Sequence, residues 1–330
     1  MIRLAIAILL AFIAARVASA ATETVSASKS DLFFQASENE VILTPGFEYN
    51  NQAGFVAGDQ RKIEDSGRIT KLKIETGISE DLSASFQVRY KDARLSTDEG
   101  FKADSEGIED LHLNMTGNMA LEEPTATLHY GFFGRHSVKR EKVSRVQADF
   151  TGTGVDFTPL SSDPHTAGSS ITPFIGYSKV AGKYLVGARF LQTIWGTKRK
   201  KKVVIEGREN LPGPVQGMVP SETNAVEEGG GATELKVFAE RSYGKATLNV
   251  ATKFRHTAPK REIEPQSRLV QDELDMLSLE LYPSYKVDDS TTVVGGVSYT
   301  RLLNQNVIYE GEKVETGEIY NLSLGGRFTF

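Results

Sequence analysis

Apolar residues recur at every second position through segment after segment of this chain. Val41, Leu43, Pro45, Phe47 and Tyr49 form the first row, Leu72, Ile74, Thr76 and Ile78 the second, and Leu82, Ala84, Phe86, Val88 and Tyr90 the third. The pattern continues through rows such as Ala126 to Phe132, Tyr184 to Phe190 and Leu248 to Phe254. It ends on Tyr320, Leu322, Leu324, Phe328 and Phe330. Period two is strand geometry with one apolar and one polar face. About 12 such segments fall between residues 40 and 330, and none shows the period of a useful amphipathic helix. The connections alternate in length. Ser79–Asp81, Asn118–Pro124, Ala181–Lys183, Ser242–Gly244 and Asp288–Ser290 are short and polar. Those between them run over about residues 52–66, 96–105, 139–167, 198–230, 258–270 and 305–316. The fold expected is all-β, an antiparallel up-and-down barrel that crosses a membrane with short turns on one side and long loops on the other. A soluble sandwich has no reason to alternate so regularly.

The first residues fix the compartment. Arg3 supplies a positive start, Leu4–Ala14 an unbroken apolar run, and Ala18-Ser19-Ala20 a small-x-small cleavage pattern. Residues 1–20 are therefore expected to be a signal peptide cut between Ala20 and Ala21. Its eleven apolar residues are too few for a spanning helix, which needs about 20. Any membrane crossing must then be made by strands. Residues 21–39, Ser/Thr/Ala-rich with one cluster at Leu32-Phe33-Phe34, form a short periplasmic lead-in suited to tucking into the barrel mouth.

The C-terminal row carries more than a strand signal. Ser323, Gly325, Phe328 and Phe330 stand in the order polar, x, Gly, two residues, aromatic, x, aromatic. This ending resembles the C-terminal signal of bacterial outer-membrane β-barrel proteins. The resemblance implies a Gram-negative outer membrane as the location. It implies the barrel-assembly machinery, outer-membrane lipid and lipopolysaccharide as partners. Gly107-Ile-Glu-Asp-Leu-His-Leu113 also resembles the strand opening of barrels of the phenol-degradation-pathway transporter type, with Glu109 where that pattern has Gly. In size and wall charge the chain resembles channels for acidic oligosaccharides. The subfamily stays open.

If the apolar rows face lipid, the alternate residues face the lumen. That places Lys71, Lys73, Arg89, Lys91, Arg135, Arg189, Lys236, Lys253, Arg255 and Arg327 inside, against Glu48, Glu75, Asp110, Glu240 and Glu280, with His112 and His129 nearby. Ten basic residues to five acidic line a chain whose formal net charge is -5. A charged low-dielectric tube concentrates the opposite ion, so the expected function is passive, weakly selective diffusion of small anionic solutes. Lys71, Lys73, Arg89, Lys91, Arg135, Arg189, Lys253 and Arg255 are the selectivity candidates. The alternative is a closed structural or adhesive barrel whose interior charges merely pair. Tyr49, Tyr90, Tyr177, Tyr184, Tyr243, Tyr282, Tyr285, Tyr299 and Phe330 are candidates for interfacial girdles. Lys198–Lys202 reads either as a lipopolysaccharide phosphate contact or as a solvated loop base. Phe150 to Phe157 reads either as an inward constriction or as packing over the outer rim.

Enzymatic chemistry finds little support. Phospholipase barrels of similar size carry His followed two residues later by Ser and then Asn-Gly, which His112, His129 and His136 do not match. His256 sits on the lipid-facing row near the outer rim with no obvious orienting carboxylate and reads as an isolated rim histidine, and His165 lies in a Pro/Ser loop. The absence of cysteine excludes disulfides and thiolate metal sites, and no metal or phosphate-loop pattern occurs. Neither cofactor nor metal is expected, and the acidic balance offers nothing to nucleic acid.

Overall fold

A computed structural model describes residues 35–57, 62–97, 102–121, 125–152, 154–196, 198–265, 267–309 and 312–330. The signal segment, with Ala18, Ala20 and Ala21, and most of the lead-in lie outside these residues. Twelve strands build the wall: β1 (Val41–Ala57), β2 (Lys62–Ser79), β3 (Leu82–Thr97), β4 (Asp110–Ala120), β5 (Ala126–Ser137) and β6 (Ser169–Ala181). They continue as β7 (Tyr184–Trp195), β8 (Ala232–Tyr243), β9 (Ala246–Thr257), β10 (Leu274–Lys286), β11 (Thr291–Leu302) and β12 (Glu318–Thr329). Each pairs antiparallel with the next, and β12 returns to β1 in the register Ile42 to Thr329 and Gly46 to Gly325. Val41 and Phe330 complete the seam by exchanging backbone hydrogen bonds of 3.2 and 2.9 Å. A closed sheet leaves no wall edge unpaired, which is what lets strands cross a bilayer.

Glycine is required at that seam. A Cβ on Gly46 would stand 2.7 Å from Lys71 Cε, and one on Gly325 2.9 Å from the Pro45 carbonyl oxygen. Gly46 leaves room for the Lys71 side chain, which lies over it and reaches Glu48.

The pleat sorts the two faces. Leu72, Ile74, Phe86, Leu113, Ile175, Val237, Val250, Leu279 and Leu324 are exposed, with Leu279 at 57% and Leu324 at 61%. Their row partners of opposite parity, including Ile69, Glu75, Asp110, Phe174, Lys236, Asn249 and Glu280, are buried inside. An apolar exterior around a polar interior is the fold of an outer-membrane β-barrel. Tyr184, Arg241 and Tyr243 cluster on the outside near the short-turn end, the Arg241 guanidinium 5.3 and 4.6 Å from the two rings. Tyr299 and Tyr320 pack at 5.2 Å towards the opposite end. Both groups are placed as interfacial anchors. Tyr282 does not join a girdle: its hydroxyl donates to Glu280 inside the lumen, because it follows the inward parity of β10.

The long connections are largely sheet, contrary to the expectation of loops. Glu141–Phe150 and Val155–Ser162 form a hairpin, and Arg199–Glu206 lies parallel to its first arm. Glu222–Gly229, Lys260–Glu264 and Arg268–Gln271 add in turn, extending the wall beyond the rim. Ala148, Leu211 and Val219 give this extension a small core of its own. Phe150 and Phe157 are both exposed near the hairpin end. They sit in the hairpin register opposite Val155 and Ala148 respectively.

Candidate functional site: the charged lumen and outer vestibule

Inward parity brings cations of neighbouring strands to shared carboxylates. Glu48 on β1 accepts from Lys71 at 2.5 Å and Arg89 at 2.9 Å, and Arg89 also reaches Glu109 at 3.0 Å. Glu280 on β10 accepts from both Lys236 and Lys253, the latter at 3.1 Å, while the Tyr282 hydroxyl donates to it at 3.0 Å. Lys73 pairs with Glu75 at 2.5 Å, Arg135 with Asp110, and Arg255 with Glu234 at 3.4 Å. Thr166 adds its N–H and hydroxyl to Asp110. Lys91 points inward on β3 and makes no ion pair with a described residue. All eight selectivity candidates lie on the inner face. Most are paired, which the alternating pattern alone could not reveal.

Aromatic residues share the same wall. Phe133 and Phe174 stack at 5.0 Å, and the Arg189 guanidinium lies 5.6 and 5.8 Å from their centroids. Such faces partly replace the water a buried guanidinium loses. Leu185, Phe238 and Ala251 pack together nearer the short-turn end. There residues 35–40 also enter the mouth: Ala36 N–H donates to Glu75 Oε1 at 3.0 Å, and Asn118 donates to Gln35 at 2.5 Å. His129 bridges Asn118 at 2.6 Å and Ser178 at 2.7 Å.

At the opposite mouth a vestibule of about 380 Å³ opens between the wall and its extension. Lys142, Arg199, Lys201, Arg255 and Lys260 line it, with Glu227 as the one lining carboxylate among the described residues. Glu227 stands 2.6 Å from Lys201, 3.9 Å from Lys260 and 4.0 Å from Arg199. Arg199 also covers the ring of Trp195 at 4.5 Å, and Trp195 donates to the Gly230 carbonyl at 3.1 Å. The basic run 198–202 therefore divides. Arg199 and Lys201 serve the vestibule, Lys202 pairs with Glu222 at 2.5 Å, and Lys200 is exposed. From sequence the run stayed open between a lipopolysaccharide phosphate contact and a solvated loop base, and Trp195 was missed altogether. The inward parity of Trp195 on β7 was the available signal.

One histidine differs from expectation, and a second has partners that the sequence did not show. His256 is not isolated: its Nδ1 meets Asp275 Oδ1 at 2.8 Å across the β9–β10 register. His165 joins Ser137 and Asp163 in a line, each contact 3.2 Å. In that line Ser137 Oγ already accepts the Ala167 N–H, and Ser137 and His165 are buried. The arrangement staples the connection to the rim and presents no accessible nucleophile. Burial pushes His165 below its ordinary pKa. Burial would raise Asp163, but the Val143 N–H and Lys139 hold its carboxyl below the usual range.

No protein-family description matches the chain, and no curated protein matches it in sequence. Among solved structures, the COG4313 outer-membrane channel from Pseudomonas putida F1 is similar with a TM-score of 0.58 at 11% identity, over 93% of this chain and all of that one. The CymD monoaromatic hydrocarbon channel gives 0.47 at 10% identity, over 89% of each chain. The NanC porin gives 0.43 at 10% identity, over 85% of this chain and 98% of that one. At this identity the first likeness speaks to the fold alone.

Proposed function

We propose that this outer-membrane barrel is a passive channel for small solutes that prefers anions. One observation carries the reading: carboxylates of the wall are outnumbered by the cations around them. Glu280 holds two and Glu227 holds three, whereas Lys71 and Arg89 are matched by Glu48 and Glu109. Pairing therefore leaves a net positive path from the vestibule inwards, and such a path enriches anions. Lys71, Lys73, Arg89, Lys91, Arg135, Arg189, Lys253 and Arg255 set that field together with Arg199 and Lys201. Ser323, Gly325, Phe328 and Phe330 are the proposed recognition element for the barrel-assembly machinery, and lipopolysaccharide is the proposed neighbour of the outer rim.

The test is single-channel conductance of the refolded mature protein in planar bilayers, with reversal potential under a salt gradient. Steady anion-selective openings are expected, and Lys71→Glu with Lys253→Glu should move the reversal potential towards cation preference. A folded barrel that stays electrically silent would overturn the channel in favour of a closed barrel acting through its extension. The apolar packing and the inserted residues 35–40 at the short-turn end are the observations on that side.

A further inference from the structure

The vestibule has two kinds of lining. Its cations come from the extension strands and from the end of β9. Leu274, Met276 and Ile319, from β10 and β12, line the same space. Leu274 belongs to a buried cluster with Leu302, Val307 and Val314, and Met276 and Ile319 pack against it. The apolar lining is thus the edge of a fixed core. Arg255 and Met276 face each other in the β9–β10 register, so the cationic and apolar regions meet at one seam. Among the described residues, Thr166, Trp195, Gly230, Thr257 and Gln271 add the uncharged polar lining.

A field that only repels cations needs no apolar region beside it. We infer that the vestibule is a binding site for amphiphilic organic monoanions, a carboxylate carried on a ring or short branched hydrocarbon. The carboxylate sits among Arg199, Lys201 and Lys260, and the hydrocarbon lies on Met276 and Ile319. About 380 Å³ admits a body of that size, within the usual range of small-molecule sites of roughly 300–1,000 Å³. This assignment rests on the anion-preferring channel and adds the solute class.

Trp195 is the one tryptophan of the chain and lines this cavity, so binding can be read without current. The protein in lipid nanodiscs is titrated with cyclohexanecarboxylate, gluconate and cyclohexanemethanol while Trp195 emission is followed. In planar bilayers the same compounds are added to the extension side during chloride conduction. Cyclohexanecarboxylate should saturate and block at concentrations about tenfold or more below gluconate, as burial of a few methylenes implies. Cyclohexanemethanol should do neither. Met276→Gln with Ile319→Thr should bring the two carboxylates together. Lys201→Gln should weaken both carboxylates. Equal action of cyclohexanecarboxylate and gluconate on an anion-selective wild-type channel would overturn the solute class and leave the channel standing. Loss of anion selectivity would remove the channel reading itself. An unresponsive Trp195 would place the block outside the vestibule and overturn the site.

Discussion

At the scale of single residues the lumen is governed by shared partners. Glu280 is the clearest case: it is buried, it pairs with Lys236 and Lys253 together, and it accepts the Tyr282 hydroxyl. Removing one member of a buried ionic group leaves the others uncompensated, which costs about 3–5 kcal/mol. Glu280→Gln should therefore lower the urea midpoint of the barrel sharply, whereas Glu222→Gln should change it little. Glu222 is exposed on the extension and serves Lys202 at 2.5 Å, and such pairs contribute about 0–1 kcal/mol. Equal effects would mean the lumen is as well solvated at Glu280 as the extension is at Glu222. The alternation of apolar and polar positions made the inward cations legible, because period two fixes the facing of every residue in a strand. It did not show Glu109 and Glu234 as partners, nor the inward rings of Phe133, Phe174 and Tyr282. An aromatic residue has strand propensity on either face, and its facing is lost when it is judged by nearness to a strand end.

At the scale of elements, the barrel strands were legible and the extension strands were not. Arg199–Glu206 reads as a charged loop because it has no lipid-facing row. It becomes a strand only through pairing with Glu141–Phe150 and Glu222–Gly229, tens of residues away. The connection behind that hairpin is held to the rim by His165 between Ser137 and Asp163. Lys139 and Asp110 are the other charged groups close to the ring. His165 has a folded pKa below its ordinary 6.5, so the proton favours the unfolded or undocked state. Its stabilising effect is complete above that ordinary value and is lost as pH falls through the folded one. Asp163, also lowered, keeps its charge through the same window. Hydrogen-exchange protection of residues 141–162, taken relative to the intrinsic amide rate at each pH, should fall on going from pH 7.5 to about 5.5, with the barrel strands unaffected. His165→Gln should show low protection at both pH values. A variant that keeps the full pH dependence would assign the switch elsewhere.

At the scale of the whole molecule the two mouths are built differently, and conduction depends on both. The extension end widens into a cationic vestibule, whereas the short-turn end is narrowed by the chain itself. Gln35 and Ala36 are buried there, tied to Asn118 and Glu75, and Glu38 bridges Gly77 in parallel. The seat depends on glycine at 77 for reasons of space: a Cβ there would stand 1.8 Å from the Ser37 carbonyl oxygen and 2.9 Å from that of Ala36. Both are backbone atoms, so the inserted segment must withdraw if a side chain is added. Gly77 lies in β2 beside its cross-strand partner Ser83, and an alanine fits an ordinary strand residue, so the wall itself should survive Gly77→Ala. Unit conductance should rise, and residues before Glu40 should become open to protease from the short-turn side. The anion-to-cation permeability ratio should stay near the wild-type value, because the cations around Glu48, Glu280 and Glu227 are untouched. Greater protease access without greater conductance would mean that solutes pass beside the segment, and that the constriction is the apolar packing of Leu185, Phe238 and Ala251. A fall in selectivity together with the rise in conductance would shift the selective step from the charged wall to the inserted segment.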